Sequence, residues 1–333
     1  MAERVSGIEP ARRQITVEVA RRCYRIASRL VPPCAQSGYC PCGLTDSAVE
    51  ECNRALWCVG LQIRHDLRGN PRYGRKTVSA IRKLRSGFLS HHIQSESAIV
   101  ALALLNILFK KHRCLVALQL FDVIAKLSAM LIPLQRISAV KELTIIVDPD
   151  EQPSGIRELV EYLKTVVVDE GLNLRFIEGV YRLDAQASLL LTLLDQPEVK
   201  LTVLDLTGLT VDATEAETIV NALLKSTSLA ELAVNSQVFA SGPECKSSEH
   251  FAWYLVQNKA PIRRLHLDAR DMNEECNSLE LLSTLVRAIC EMNFLLELTA
   301  RWLCRAADIG LFGRVLTSKD NLHVLDVRCQ SLL

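Results

Sequence analysis

Aromatic residues are scarce in this chain: Phe, Trp and Tyr supply 5% of 333 residues, although 49% are hydrophobic. Leu, Ile, Val and Ala therefore make up most of the apolar matter, which suits many similar packing layers better than one core built on large rings. There is no Asn-x-Ser/Thr sequon, and the twelve cysteines follow no evenly spaced framework. Several, such as Cys114, Cys290 and Cys304, stand at apolar positions of helical or extended patterns, which predicts buried free thiols and a reducing, cytoplasmic setting. Long hydrophobic runs are missing too. The longest, Ala98 to Phe109, is interrupted by Asn106, whereas a bilayer span needs about 20 apolar residues. Residues 114–134 are long enough but contain Gln119, Asp122 and Lys126. The opening MAERVSGIEPARRQ has basic residues with no apolar stretch behind them, unlike a secretory signal.

Catalytic signatures are absent in the same way. The chain has no G-x-S-x-G elbow, no H-E-x-x-H helix and no GxxxxGK[ST] phosphate loop. The expectation is a non-enzymatic protein without a cofactor. The best metal candidate is Cys34, Cys40 and Cys42, with Cys52 and Cys58 nearby and His65 beyond. Structural zinc sites pair their ligands two to four residues apart, and this pattern does not, so ordinary thiols are expected. His91-His92 reads as the entry to a helix starting near Ser95.

The net charge of +1 conceals an asymmetry. Residues 1–137 carry 21 Lys+Arg against 9 Asp+Glu, and residues 138–333 carry 18 against 29. A split of this kind points to electrostatic partner surfaces. Its densest feature is a basic strip of Arg64, Arg68, Arg72, Arg75, Lys76, Arg82, Lys83 and Arg85, relieved only by Asp66. One reading is a phosphate-binding strip for nucleic acid or an anionic surface. Tyr73 is the one aromatic available there for base stacking. The other reading is a solvated segment complementary to the acidic half, which would allow salt-sensitive self-association.

What the chain does contain is a repeat. The pattern apolar-x-x-Leu-x-apolar occurs as Leu201-Thr-Val-Leu204-Asp-Leu206, Leu229-Ala-Glu-Leu232-Ala-Val234 and Ile262-Arg-Arg-Leu265-His-Leu267. It occurs again as Leu295-Leu-Glu-Leu298-Thr-Ala300 and Leu322-His-Val-Leu325-Asp-Val327. Weaker copies centre on Leu84, Leu118, Leu143 and Leu174, and the nine central leucines are 25 to 34 residues apart. Between them lie helical faces: Ile156, Leu159, Val160, Leu163 and Val167; Ile219, Val220, Leu223 and Leu224; Leu282, Leu285, Val286 and Ile289. Asp212 and Glu215 have capping-box spacing. Neither a five-residue strand nor one amphipathic helix can bury itself, so such units must stack. Helices are about 10 Å wide and strands about 4.8 Å apart, which places strands on the inner arc and helices on the outer arc of a horseshoe.

The predicted fold class is thus α/β, a solenoid of strand-turn-helix units over residues 78–333 in about nine repeats. Before it, residues 1–77 form a helical segment that caps the array or is a degenerate first repeat. Within that segment helices are expected over residues 11–31, ended by Pro32-Pro33, and from about Ser47 to Ile63. The chain stops just after a strand signal, which predicts an uncapped edge: the array continues in a partner, the sequence is a fragment, or the last strand frays.

Stretches such as LTVLDLTGLTVDATEAETIVNALLKSTSLAELAV resemble the leucine-rich-repeat region of ribonuclease-inhibitor-like proteins, including the repeat regions of NLR-type proteins. The resemblance covers roughly residues 78–333 and implies a scaffold that wraps protein partners on its concave face. It does not extend to a nucleotide switch. The family's turn Asn or Cys, five positions after the central Leu, is replaced by Leu209, Gln237, Arg270, Leu303 and Gln330, which predicts irregular turns.

Strand alternation puts the residues flanking each leucine on the concave face. These are Arg175, Asp205, Thr207, Glu231, Asn235, Arg264, His266, Asp268, Glu297, Arg301, Asp326 and Arg328, with Trp302 as a possible anchor. The surface has mixed charge and suits a protein partner.

Overall fold

A computed structural model describes residues 17–31, 45–57, 61–65, 76–80, 96–112, 115–121, 142–147, 171–176, 190–195, 199–240, 246–257, 260–270 and 279–330. The chain divides into two compact units, Met1–Leu115 and Val116–Leu333.

The first unit holds helices α1 (Val17–Leu30), α2 (Asp46–Leu56) and α3 (Glu96–Lys111) with a two-stranded antiparallel ribbon, β1 (Leu61–His65) and β2 (Lys76–Ala80). Helix α3 is the apolar run noted in the sequence. It is 16 residues long, buries Ala101, Leu104, Leu105, Ile107 and Leu108, and packs on α1 and α2. Among the described residues no helix is long and apolar enough to cross a membrane.

The helix expected from Ser47 to Ile63 ends earlier. Helix α2 stops at Leu56, and Leu61 to His65 is a strand with Leu61 and Ile63 buried. The reason is local: Leu61, Gln62, Ile63 and Arg64 alternate apolar and polar, a period of two. Asn53 of α2 pins the strand, its Nδ2 donating to the Ile63 carbonyl (3.2 Å) while its Oδ1 accepts from the Ile63 amide (2.6 Å). The strand near residue 78 pairs antiparallel with β1. Leu84 and its weak repeat copy lie outside the described residues.

The second unit is built on eight parallel strands: β3 (Leu115–Phe121), β4 (Glu142–Val147), β5 (Gly171–Phe176), β6 (Leu201–Leu206), β7 (Glu231–Asn235), β8 (Arg264–Asp268), β9 (Glu297–Arg305) and β10 (Val324–Gln330). Strands consecutive in sequence are neighbours in the sheet. Between them run α4 (Ala213–Leu223), the single turn α5 (Ser236–Phe239), α6 (Lys246–Gln257), α7 (Leu279–Glu291), a 3₁₀ segment (Ala306–Phe312) and α8 (Gly313–Ser318). The helical face proposed over residues 156–167 lies outside the described residues.

Leu174, Leu204, Leu232, Leu265, Leu298 and Leu325 stand opposite one another across six strands. All but Leu325, on the last strand, are buried. The second inward row is Leu206, Val234, Leu267 and Ala300. The apolar faces of α4 (Ile219, Val220, Leu223) and α7 (Leu282, Leu285, Val286, Ile289) are both buried as their spacing requires. Between those helices α6 contributes Phe251 and Tyr254, which with Phe239 form an aromatic cluster at centroid spacings of 6.0 and 5.7 Å. Truncating any of the buried leucines to Ala is expected to lower the unfolding free energy by about 2–5 kcal/mol. The Asp212–Glu215 capping box is present, with both reciprocal bonds at 2.8–2.9 Å.

Two details depart from the simple repeat. Leu143 stands opposite Leu172, so the row of central leucines steps by two residues between β4 and β5; an even step keeps the same face inward. A bulge then inserts Thr202 between the pairs Leu172–Leu201 and Asn173–Val203. Gly171 has φ +115°, and a Cβ there would lie 2.3 Å from the Thr202 methyl. The bulge therefore requires glycine at 171 on both conformational and steric grounds. At one turn, side chains of the following strand and helix stand in for the missing Asn and Cys. Gln237 accepts from the Val211 amide through Oε1 (2.9 Å), and Asn235 donates Nδ2 to the Leu209 and Thr207 carbonyls (2.7 and 3.2 Å). Backbone groups of one unit's turn are thus satisfied by side chains of the next.

Gly171→Ala is expected to lower stability by about 1–3 kcal/mol from backbone strain alone. Urea unfolding checks this, and an unchanged midpoint would mean that the position accepts an L side chain. Tyr254 is fully buried, its hydroxyl has no hydrogen-bond partner among the described residues, and burial pushes its pKa well up. Tyr254→Phe removes that unsatisfied group and is expected to raise the same midpoint, by about 1 kcal/mol; a fall of that size would reveal a partner for the hydroxyl.

Candidate functional site

The face of the parallel sheet opposite the leucines carries the polar side chains. On β6 to β9 each strand presents the residue before its central leucine and the residue after it. Strand register sets them in rows. The first row runs Val203, Glu231, Arg264, Glu297, Val324. The second runs Arg175, Asp205, Ala233, His266, Thr299, Asp326.

The first row contains a charge ladder. Arg264 bridges two strands, pairing with Glu231 on β7 and with Glu297 on β9 (3.0 Å). Burial works against the Arg264 charge, but the two carboxylates outweigh it and hold its pKa above the ordinary value. The three groups are half exposed and together carry one negative charge.

The second row is interrupted. Ala233 stands where its neighbours have Asp205 and His266, and the missing side chain leaves a hollow of about 220 Å³. Ala233 and Val203 line it together with the charged groups Arg175, Asp205, Glu231, Arg264 and Glu297, and with His266 and Thr299. Asp205 is held from below: its Oδ1 accepts from the Thr207 hydroxyl (2.6 Å) and amide (3.1 Å). Arg175 has its Nε buried with no hydrogen-bond partner.

His266 is the most constrained group. Its Nε2 is buried, with no hydrogen bond among the described residues, and Asp268 Oδ2 is 4.0 Å away. Burial, then the positive charge of Arg301, push its pKa below the ordinary value, against the pull of Asp268 and Asp205. The ring is therefore neutral at pH 7.

Several residues expected on this face have other work. Asn235 and Asp268 are buried. Asn235 serves the turn described above. Asp268 takes a bidentate pair of bonds from Arg270, Nη2 to Oδ2 (2.9 Å) and Nε to Oδ1 (3.1 Å), and accepts the Arg270 amide (3.2 Å). Burial raises the Asp268 pKa, but these bonds prevail and hold it below the carboxylate norm. Both residues sit at strand ends, where the chain turns away and alternation no longer decides exposure. Thr207 supports Asp205. Asp326 and Arg328 pair with each other on the last strand (3.4 Å). Arg301 is half-buried with an unpartnered Nε. Trp302 leaves the rows altogether: it has φ +60° and lies where β9 carries two residues more than β10 between matched positions. Alternation ends there, which sequence periodicity does not reveal.

Ala233 is the residue that sequence reasoning passed over. The signal was present, because it is the smallest residue following a central leucine in the clear copies, but only the lateral register turns that smallness into a hollow. Of the basic strip, Arg64 is exposed on β1 and Lys76 opens β2; Arg68, Arg72, Arg75, Arg82, Lys83 and Arg85 lie outside the described residues. So do Cys34, Cys40, Cys42, Cys58, His91 and His92. Cys52 is buried in α2 with its thiol on the Leu30 carbonyl (3.6 Å), and burial pushes its pKa up to about 11. Cys23, Cys52, Cys290, Cys304 and Cys329 are free. Among the described residues no group of three His, Cys, Asp or Glu converges on one point.

No protein-family model and no curated protein matches this chain.

A histidine whose pKa is lowered on folding is protonated first in the unfolded chain. Stability is thus unaffected by His266 well above pH 6.5, falls as the pH drops below that value, and has lost the full contribution below the folded pKa. His266→Gln is expected to reduce the dependence of the urea midpoint on pH between 7 and 5. An unaltered dependence would show that the ring protonates as readily in the folded chain as in the unfolded one.

Proposed function

We propose that this protein is a non-enzymatic interaction scaffold, and that the open face of its parallel sheet binds a protein partner. The carrying observation is the hollow at Ala233, set in a row of charged side chains that rigid strands hold in register. A site on strands is positioned more closely than one on loops. Its volume of about 220 Å³ is below the roughly 300–1,000 Å³ of small-molecule pockets, and suits one inserted side chain within a wider contact.

On the same reading the strand-and-helix units are leucine-rich repeats and the array is a solenoid of the ribonuclease-inhibitor kind, its sheet lining the concave side. Consecutive parallel strands, the aligned leucines and the turn bonds passed from unit to unit support that view. Free buried thiols support a reducing, cytoplasmic setting.

Affinity capture with wild type, Ala233→Arg and the control Arg287→Glu, analysed by mass spectrometry with and without nuclease, tests this. Arg287 is exposed on α7, away from the sheet. Proteins retained by wild type and control, lost with Ala233→Arg and indifferent to nuclease are the expected result. A set that ignores Ala233→Arg and vanishes with nuclease would move the function to the basic segment 64–85.

A further inference from the structure

The hollow at Ala233 has a definite chemistry. Three carboxylates line it, Asp205, Glu231 and Glu297, against two guanidinium groups, Arg175 and Arg264. Arg264 is matched twice over by Glu231 and Glu297. Asp205 is the carboxylate with capacity to spare: one oxygen is taken by Thr207, and it forms no ion pair among the described residues. His266 stands on the opposite side, across Ala233, with its Nε2 buried 4.0 Å from Asp268 Oδ2. The lining therefore offers a carboxylate with free capacity beside a small apolar floor of Ala233 and Val203. The surrounding field has the same sign, since residues 116–333 carry 30 Asp+Glu against 20 Lys+Arg.

We propose that this hollow receives one basic side chain, Lys or Arg, of the protein partner, its aliphatic stem lying over Ala233 and Val203 and its charged head against Asp205. The proposal rests on the open-face reading and deepens it by naming the partner's chemistry. Charge complementarity selects the occupant: an anionic group would meet a lining with one net negative charge, whereas a cation gains the free capacity of Asp205. The stem is accommodated because long basic side chains cover apolar surface while their heads remain polar. Ala233 is the specificity-determining residue, because any larger side chain would fill the hollow with the protein's own atoms.

The test is methyl NMR of the full chain with labelled alanine, titrated with four capped pentapeptides, Ala-Ala-X-Ala-Ala, where X is Arg, Lys, Glu or Leu. Saturable shifts of the Ala233 methyl with the Arg and Lys peptides, and none with Glu or Leu, are expected. Asp205→Asn, which keeps the acceptor for Thr207, should weaken binding of the basic peptides at least fivefold, and Ala233→Arg should abolish it. Raising the salt from about 0.05 to 0.5 M should weaken it further, as screening requires. Shifts with the Glu peptide alone would overturn the proposal and make the hollow an anion site on Arg175. Equal affinity for all four, or indifference to Asp205→Asn, would also overturn it. Absence of shifts with every peptide would reject the basic-side-chain proposal, while the capture comparison with Ala233→Arg would still decide separately whether the face binds proteins.

Discussion

The lateral pairing of parallel strands with their leucines in line is the constraint on which the second unit depends. A strand of five or six residues gains little alone, and its backbone groups are satisfied only by its neighbours. Once Leu174, Leu204, Leu232, Leu265, Leu298 and Leu325 are opposite one another, the inner face of every strand is determined. With it goes the opposite face, because side chains alternate. The charged rows and the hollow at Ala233 are thus consequences of hydrophobic register. A one-residue slip would exchange the leucines for Glu231, Arg264 and Glu297, which ties the integrity of the site to the integrity of the core.

The places where the repeat is broken are those where one interaction overrides alternation. The Thr202 bulge exists with a glycine facing it, and the pair Gly171–Thr202 is legible only once β5 and β6 are known to be adjacent. Trp302 bends the strand through the left-handed region and removes itself from the rows. Asn235 and Asp268 look like surface polar residues by position, yet both are consumed by turn hydrogen bonds. For Gly171 and Asn235 the deciding partner comes from another strand or another turn, so no short window on the sequence contains both halves of the interaction, whereas Asp268 is held by Arg270 two residues on.

The electrostatics follow the same logic. Arg264 is held charged by carboxylates supplied from both neighbouring strands, and His266 is kept neutral by burial and by Arg301. Glu231 and Glu297 are each 33 residues from Arg264 along the chain, and Arg301 is 35 from His266. The overall acidity of residues 116–333 was visible in composition, but the particular match of cation and carboxylate depends on strand pairing.

Read alone, the sequence determined the periodic features: the strand positions around Leu204, Leu232, Leu265, Leu298 and Leu325, the buried faces of α4 and α7, and the Asp212–Glu215 cap. Each arises from contacts within one helix or from side-chain alternation within one strand, so the information is local. The end of α2 at Leu56 and the strand at Leu61 were legible in the alternation of residues 61–64, but helical spacing upstream masked them. Tertiary structure alone decided that β1 pairs with β2, that Leu143 meets Leu172, and that Gly171 faces Thr202. It also decided that Ala233, an unremarkable residue in the sequence, stands between Asp205 and His266. Those outcomes depend on which strand lies beside which and in what register, and the energy that selects the register is spread over the whole array.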